Sequence, residues 1–246
     1  GCSNLGVVRG GITDRVSTMR SMFEDAPNAE PESSTWDTSS VIDMSSIFKG
    51  ARSANPNTYA WNMDRVISLS SMFEGAHAAT PETTHWTLKN ARDLDSMFKS
   101  ATSANPDTRY WNISRVERLD AMFESAAVAN PDVSQWDTAR VQTFAATFKN
   151  AIVATPDVKD WDTSSGADFS EMFEGASLAD PNVSQWDTQN ATTLNSMFEG
   201  ALNAQPDTAS WDVSNVHNFN AMFKDAVLAD PDVSRWDIAS TTSTND

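Results

Sequence analysis

One period governs this chain. Tryptophan falls at Trp36, Trp61, Trp86, Trp111, Trp136, Trp161, Trp186, Trp211 and Trp236, one every 25 residues without a slip. Phenylalanine keeps the same step at Phe23, Phe48, Phe73, Phe98, Phe123, Phe148, Phe173, Phe198 and Phe223. Alanine does so from Ala26 to Ala226 and again from Ala29 to Ala229, and proline from Pro31 to Pro231. A length of 246 residues would otherwise suggest one or two globular domains. A fixed period of this size instead marks stacked supersecondary units, each burying a face only against its neighbours.

One unit can be read from Asn130 to Ala154. Asn130-Pro131-Asp132 is a turn, with proline presetting the backbone. Val133-Ser134-Gln135-Trp136-Asp137-Thr138 is rich in β-formers and reads as a short strand. Val141, Phe144 and Phe148 then recur at helical spacing, and Val41, Met44, Ile47, Phe48 and Ala51 show the same stripe more completely. Ser40 with Asp43 resembles a capping box. The position two after each Phe is Asp25, Gly50, Gly75, Ser100, Ser125, Asn150, Gly175, Gly200 and Asp225, suited to a left-handed helix end. The expected fold is α/β: a right-handed solenoid of about nine turns, one short parallel strand and one helix per turn. The alternative is an all-α solenoid, in which Pro131 to Trp136 form a short helical turn. The domain reading is an N-terminal cap or leader remnant at 1–10, a single solenoid at 11–240 and a polar end at 241–246.

The spacing Val133-x-x-Trp136-x-Thr138-x-x-Val141-x-x-Phe144 resembles the rhythm of leucine-rich repeats. More closely, Trp36-Asp37-Thr38-Ser39-x-Val41-x-x-Met44-x-x-Ile47-Phe48-x-Gly50-Ala51 resembles the mycoplasma-type surface-protein repeat of unknown function, related to BspA-like surface antigens. The resemblance covers about residues 11–240. It implies a curved α/β solenoid on a bacterial surface or secreted protein, and it carries over no activity.

An unbroken Trp column could be a sugar-stacking ladder, but its company of Phe and Met points to a buried spine. Met22, Met72, Met97, Met122, Met172, Met197 and Met222 read as adaptable core filler. Asp132, Asp137 and their equivalents could stack into calcium sites. Yet Thr87, Asn62 and Asn112 interrupt the column after Trp as turn residues would, so no metal or cofactor is expected. His77, His85 and His217 fall in different columns, and no phosphate loop or His-Glu-x-x-His occurs, so the chain reads as no enzyme.

Thirty-four acidic against 17 basic residues give a net charge of −17, which argues against nucleic acid and anionic membrane surfaces. No apolar run approaches a membrane span. The single cysteine, Cys2, excludes an internal disulfide. Gly1-Cys2-Ser3-Asn4 resembles the junction of a bacterial lipoprotein signal, making Cys2 a lipidation candidate.

Two outward columns complete the reading. After each Phe the charge alternates at every step from Glu24, Lys49, Glu74 and Lys99 to Glu174, as ion pairs between turns would require. The two residues before each Trp vary most, and Tyr59, His85, Arg109 and Tyr110 cluster there. These four are the expected binding residues, on a concave strand face, for a protein or glycan partner. A spacer with no specific ligand is the alternative function.

Overall fold

The computed structural model describes residues 7–9 and 13–243. Among them there is no helix. Strand is confined to β1 (Val7–Arg9) and β2 (Glu30–Glu32), paired in parallel with Val8 opposite Pro31, and to single bridges. Those bridges run in parallel from Thr18↔Asp43 to Asn218↔Ser243, each joining a residue to its equivalent 25 positions on. The expected leucine-rich-repeat-like solenoid with one strand and one helix per turn is therefore incorrect, and so is its all-α alternative. Each unit is a chain of β-turns stacked in register on the next.

Two physical facts replace the helix. First, the stripe that looked helical is made by turns. Thr147 N–H donates to the Phe144 carbonyl at 3.2 Å, Ala151 to Phe148 at 3.0 Å and Ala154 to Ala151 at 3.1 Å. In each the first and fourth residues point inward and the two between face outward, so a spacing of three arises without an i→i+4 bond. Second, the backbone N–H groups that a helix would use internally point to the next unit. Phe144, Ala146, Phe148 and Asn150 donate to the carbonyls of Asp168, Ser170, Met172 and Glu174 at 2.6–2.9 Å. The same ladder recurs unit after unit along this strip.

The ladder needs left-handed backbone at the third residue of two turns per unit. One is the position two after Phe, where Gly50, Gly75, Gly175 and Gly200 have φ of 64–69° and Asn150 has 54°. The other is two before Phe, where Ser46, Ser71, Ala121, Ala146 and Glu171 have φ of 53–58°. A left-handed residue of this kind costs about 1–2 kcal/mol when it is not glycine. The short inter-unit bonds on either side offset that cost.

The core is continuous. The Phe rings from Phe23 to Phe223 stack in one column with centroids 5.5–5.8 Å apart. Trp36 to Trp211 are buried beside them, with Trp111 and Trp136 stacked at 6.3 Å. Burying one such side chain stabilises by about 1.5–3 kcal/mol. Phe223 and Trp236 are only partly buried, because no unit among the described residues stacks beyond theirs. Met22 is 48% exposed and is not the core filler its column suggests, unlike Met72 and Met97, which are fully buried. Ala51 and Ala54, packed at the tight return after Phe48, are buried completely.

Candidate functional site

The outward corners beside the Trp column are built identically in each unit. Trp N–H closes a turn on the carbonyl three residues earlier, as in Trp61 to Thr58 (3.1 Å), Trp86 to Thr83 (3.0 Å) and Trp111 to Thr108 (3.1 Å). The side chain just before that turn caps it: Asn57 accepts from Tyr59 N–H, Glu82 from Thr84 N–H and Asp107 from Arg109 N–H. The frame is held from within as well. The Thr58 and Thr83 hydroxyls donate to the Glu82 and Asp107 carbonyls of the next unit at 2.7 and 2.8 Å. Trp61 and Trp111 Nε1 reach back to the Ser33 and Thr83 carbonyls at 3.3 and 3.4 Å. The backbone thus leaves the two middle residues free to vary.

Tyr59, His85, Arg109 and Tyr110 occupy these middle positions. They do not lie on a concave strand face, because no strand exists there; they project from turn corners. The structure brings them together as two pairs. Tyr59 and His85, from successive units, meet edge to face with ring centroids 5.0 Å apart. The Arg109 guanidinium lies 5.6 Å from the Tyr110 ring centre and grips Asp107 through two bonds of 3.0 and 2.6 Å. The Asp107 carboxylate raises the Arg109 pKa, and Arg109 in turn lowers that of Asp107. Tyr59 and Tyr110 are 61% and 69% exposed. A depression of about 350 Å³ adjoins Tyr59, lined also by Asn55, Asn57 and Glu82, and one of about 420 Å³ adjoins Arg109 and Tyr110, beside Asn112, Gln135 and Asp137.

The stacked carboxylates after each Trp serve the turns. Asp37, Asp137, Asp162 and Asp187 each accept the backbone N–H two residues on, at 2.9–3.3 Å. Where Thr87 takes that place the local backbone changes: Leu88 has φ +47°, and Trp86 Nε1 is buried with no acceptor. This irregular unit is the one that carries His85 of the first pair. The sequence reading passed over a second set of corners, those ending in Arg65, Asn90 and Arg115. The signal was available in the column before Val41, Val66, Ala91, Val116 and Val141, which holds Ser40, Arg65, Asn90, Arg115 and Arg140. Cys2 lies outside the described residues. No helix among the described residues is long and apolar enough to cross a membrane.

The chain matches the family model described as Mycoplasma protein of unknown function, DUF285, over residues 8–110, 67–182 and 153–246. It belongs to that family of tandem repeats. No curated protein and no solved structure matches it.

Proposed function

We propose that this DUF285-family chain is a non-catalytic recognition module of a bacterial surface or secreted protein, engaging a protein or glycan through the corners at Tyr59, His85, Arg109 and Tyr110. The observation that carries the reading is where the tyrosines are. The chain has two, and both stand at outward positions that other units fill with polar, charged or small residues, such as Ser134, Lys159, Gln185 and Ala209. Tyrosine and arginine are the usual anchors of binding energy. Arg109 is already held by Asp107 and Tyr110, so little side-chain entropy remains to be lost when a partner arrives.

The resemblance of residues 36–51 to mycoplasma-type surface-protein repeats supports the location, and lipidation of Cys2 is the anchor consistent with it. Protease treatment of intact cells should remove the protein if it lies outside; full protection would overturn the location. For the partner, a glycan and protein array screened with the intact chain is the first measurement. Replacing Tyr59, Arg109 and Tyr110 together by Ala should then weaken the bound partner by more than about tenfold while leaving the fold unchanged. Unaltered affinity in that variant would move recognition off these corners. No partner at all would favour the spacer.

A further inference from the structure

A second outward surface carries a different chemistry. Val66, Ala91 and Val116 close turns on Met63, Leu88 and Ile113 at 3.1, 2.9 and 2.8 Å, which sets Arg65, Asn90 and Arg115 at the third place of successive corners. Two residues further on, Ile67 N–H bonds the Ile42 carbonyl and Arg92 N–H bonds the Ile67 carbonyl, at 2.8 and 2.9 Å, so Ile42, Ile67 and Arg92 form a parallel row. These six residues line one open depression of about 240 Å³.

Its charge is opposite to that of the molecule. The chain carries two acidic residues for each basic one, so an exposed arginine should readily find a carboxylate. Arg92 does, pairing with Glu117 at 2.9 Å. Arg115 instead donates to the neutral Asn90 Oδ1 at 2.9 Å, and Arg65 has no ion pair among the described residues. The nearest acid on its own corner, Asp64, is taken by Lys89 at 2.8 Å. Two guanidiniums without an ion pair among the described residues thus face a shared hollow whose remaining wall is Asn90, the Glu117-paired Arg92 and two exposed isoleucines.

We propose that this hollow binds an oxyanion attached to an apolar body. The forks of Arg65 and Arg115 match the geometry of a phosphate or carboxylate and offer it several charge-assisted hydrogen bonds. Asn90 is a positioning residue that holds Arg115 over the hollow. Ile42 and Ile67 provide apolar surface for the rest of the ligand, which an inorganic anion would leave bare.

Calorimetric titration of the intact chain at low ionic strength with phenyl phosphate, benzoate, inorganic phosphate and phenol tests this directly. Phenyl phosphate or benzoate should bind more tightly than inorganic phosphate, and phenol should not bind. Whichever of the two binds better names the oxyanion. Arg65→Ala with Arg115→Ala should weaken it at least about tenfold, while Lys159→Ala, elsewhere on the surface, should not change it. Circular dichroism on the double variant checks that the turns persist. No binding of either aromatic anion, or binding indifferent to loss of both arginines, overturns the proposal. The Tyr59, Arg109 and Tyr110 variant retains these arginines, so failure there and failure here are separately visible.

Discussion

The two sides of each unit are tied to their neighbours by different means. On the Phe side the main chain makes the links: Phe98, Ser100, Phe123 and Ser125 donate to carbonyls 24 residues on at 2.7–2.9 Å. On the Trp side the links are made by side chains, the Thr hydroxyls and the indole Nε1 groups. Main-chain links do not depend on which residue supplies them, so Ser, Ala and Glu can all occupy the same left-handed place. Side-chain links form only where the inner residue carries the right group, Thr58 or Thr83 but not Val133, and leave the outer corner free. Sequence variety that could serve recognition therefore collects beside Trp, and the Phe side stays uniform.

The largest effect is expected where the two sides meet. Gly166 occupies a column that holds Val41, Val66, Val116 and Val141 elsewhere. Its φ is not left-handed, so space decides. A Cβ there would sit 2.5 Å from Phe169 Cζ and 3.0 Å from Phe144 Cε2. Gly166→Val should cost about 1–3 kcal/mol by overpacking, read from denaturant unfolding. Adding Phe169→Leu, the residue at the equivalent Leu69, Leu94 and Leu194, should restore most of it. An unchanged stability for the single variant would show that the two rings can move aside.

Next comes a test of the side-chain links. Thr108 donates its hydroxyl to the Asp132 carbonyl, whereas Val133, Val158 and Val183 fill the same buried place without one. Thr108→Val keeps the volume and removes one hydrogen bond, so the loss should be about 1 kcal/mol or less. A loss comparable to that of Gly166→Val would mean the hydroxyl, not packing, holds the Trp side.

These sites show how much of the molecule could be read from the sequence. The period, the buried aromatic columns and the left-handed place after Phe all carry a residue signature, Gly50 and Gly75 being the clearest. The helix was misread because turns that bury their first and fourth residues imitate helical spacing. What would have excluded it is the second left-handed place, and there Ser46, Ala121 and Glu171 give no sign, since the inter-unit ladder imposes that conformation against their local preference. The corner residues were legible as variable, but their pairing was not. Whether Tyr59 meets His85 depends on the offset between stacked units, which a column of letters does not contain.

A smaller effect is expected from pH. Asp95 is half-buried, and desolvation, with Asp93 and Asp120 close by, raises its pKa from 3.8 to about 7 although Arg118 lies 2.6 Å away. The folded state thus keeps this proton to higher pH than the unfolded chain. The stability it contributes is fully present below pH 3.8 and is lost as pH rises through about 7. Partial exposure screens the effect. Asp95→Asn removes the titration, so the melting temperature of the variant relative to wild type should climb across that window. A difference that stays flat would show that Arg118 keeps Asp95 ionised throughout.

The smallest effect concerns the charged column after Phe, on the uniform side. Lys49–Glu74, Lys99–Glu124 and Lys149–Glu174 pair at 2.8, 2.7 and 2.9 Å, and Lys224–Glu199 at 2.7 Å, each linking adjacent units. The main-chain ladder already fixes the register beneath them, so the pairs have little left to specify. An exposed pair contributes about 0–1 kcal/mol. Lys99→Glu would place three carboxylates in a row, at 74, 99 and 124, and exchange one attraction for two repulsions. Over distances of one unit these act within the Debye length of about 10 Å at 0.1 M salt, but beyond the roughly 3 Å at 1 M. The variant should therefore melt a few degrees below wild type at low salt and close to it at high salt, with Glu124→Lys added to it recovering part of the difference. Equal melting at both salt concentrations would mean that these ion pairs have no part in holding one unit to the next, and that the backbone ladder alone does so.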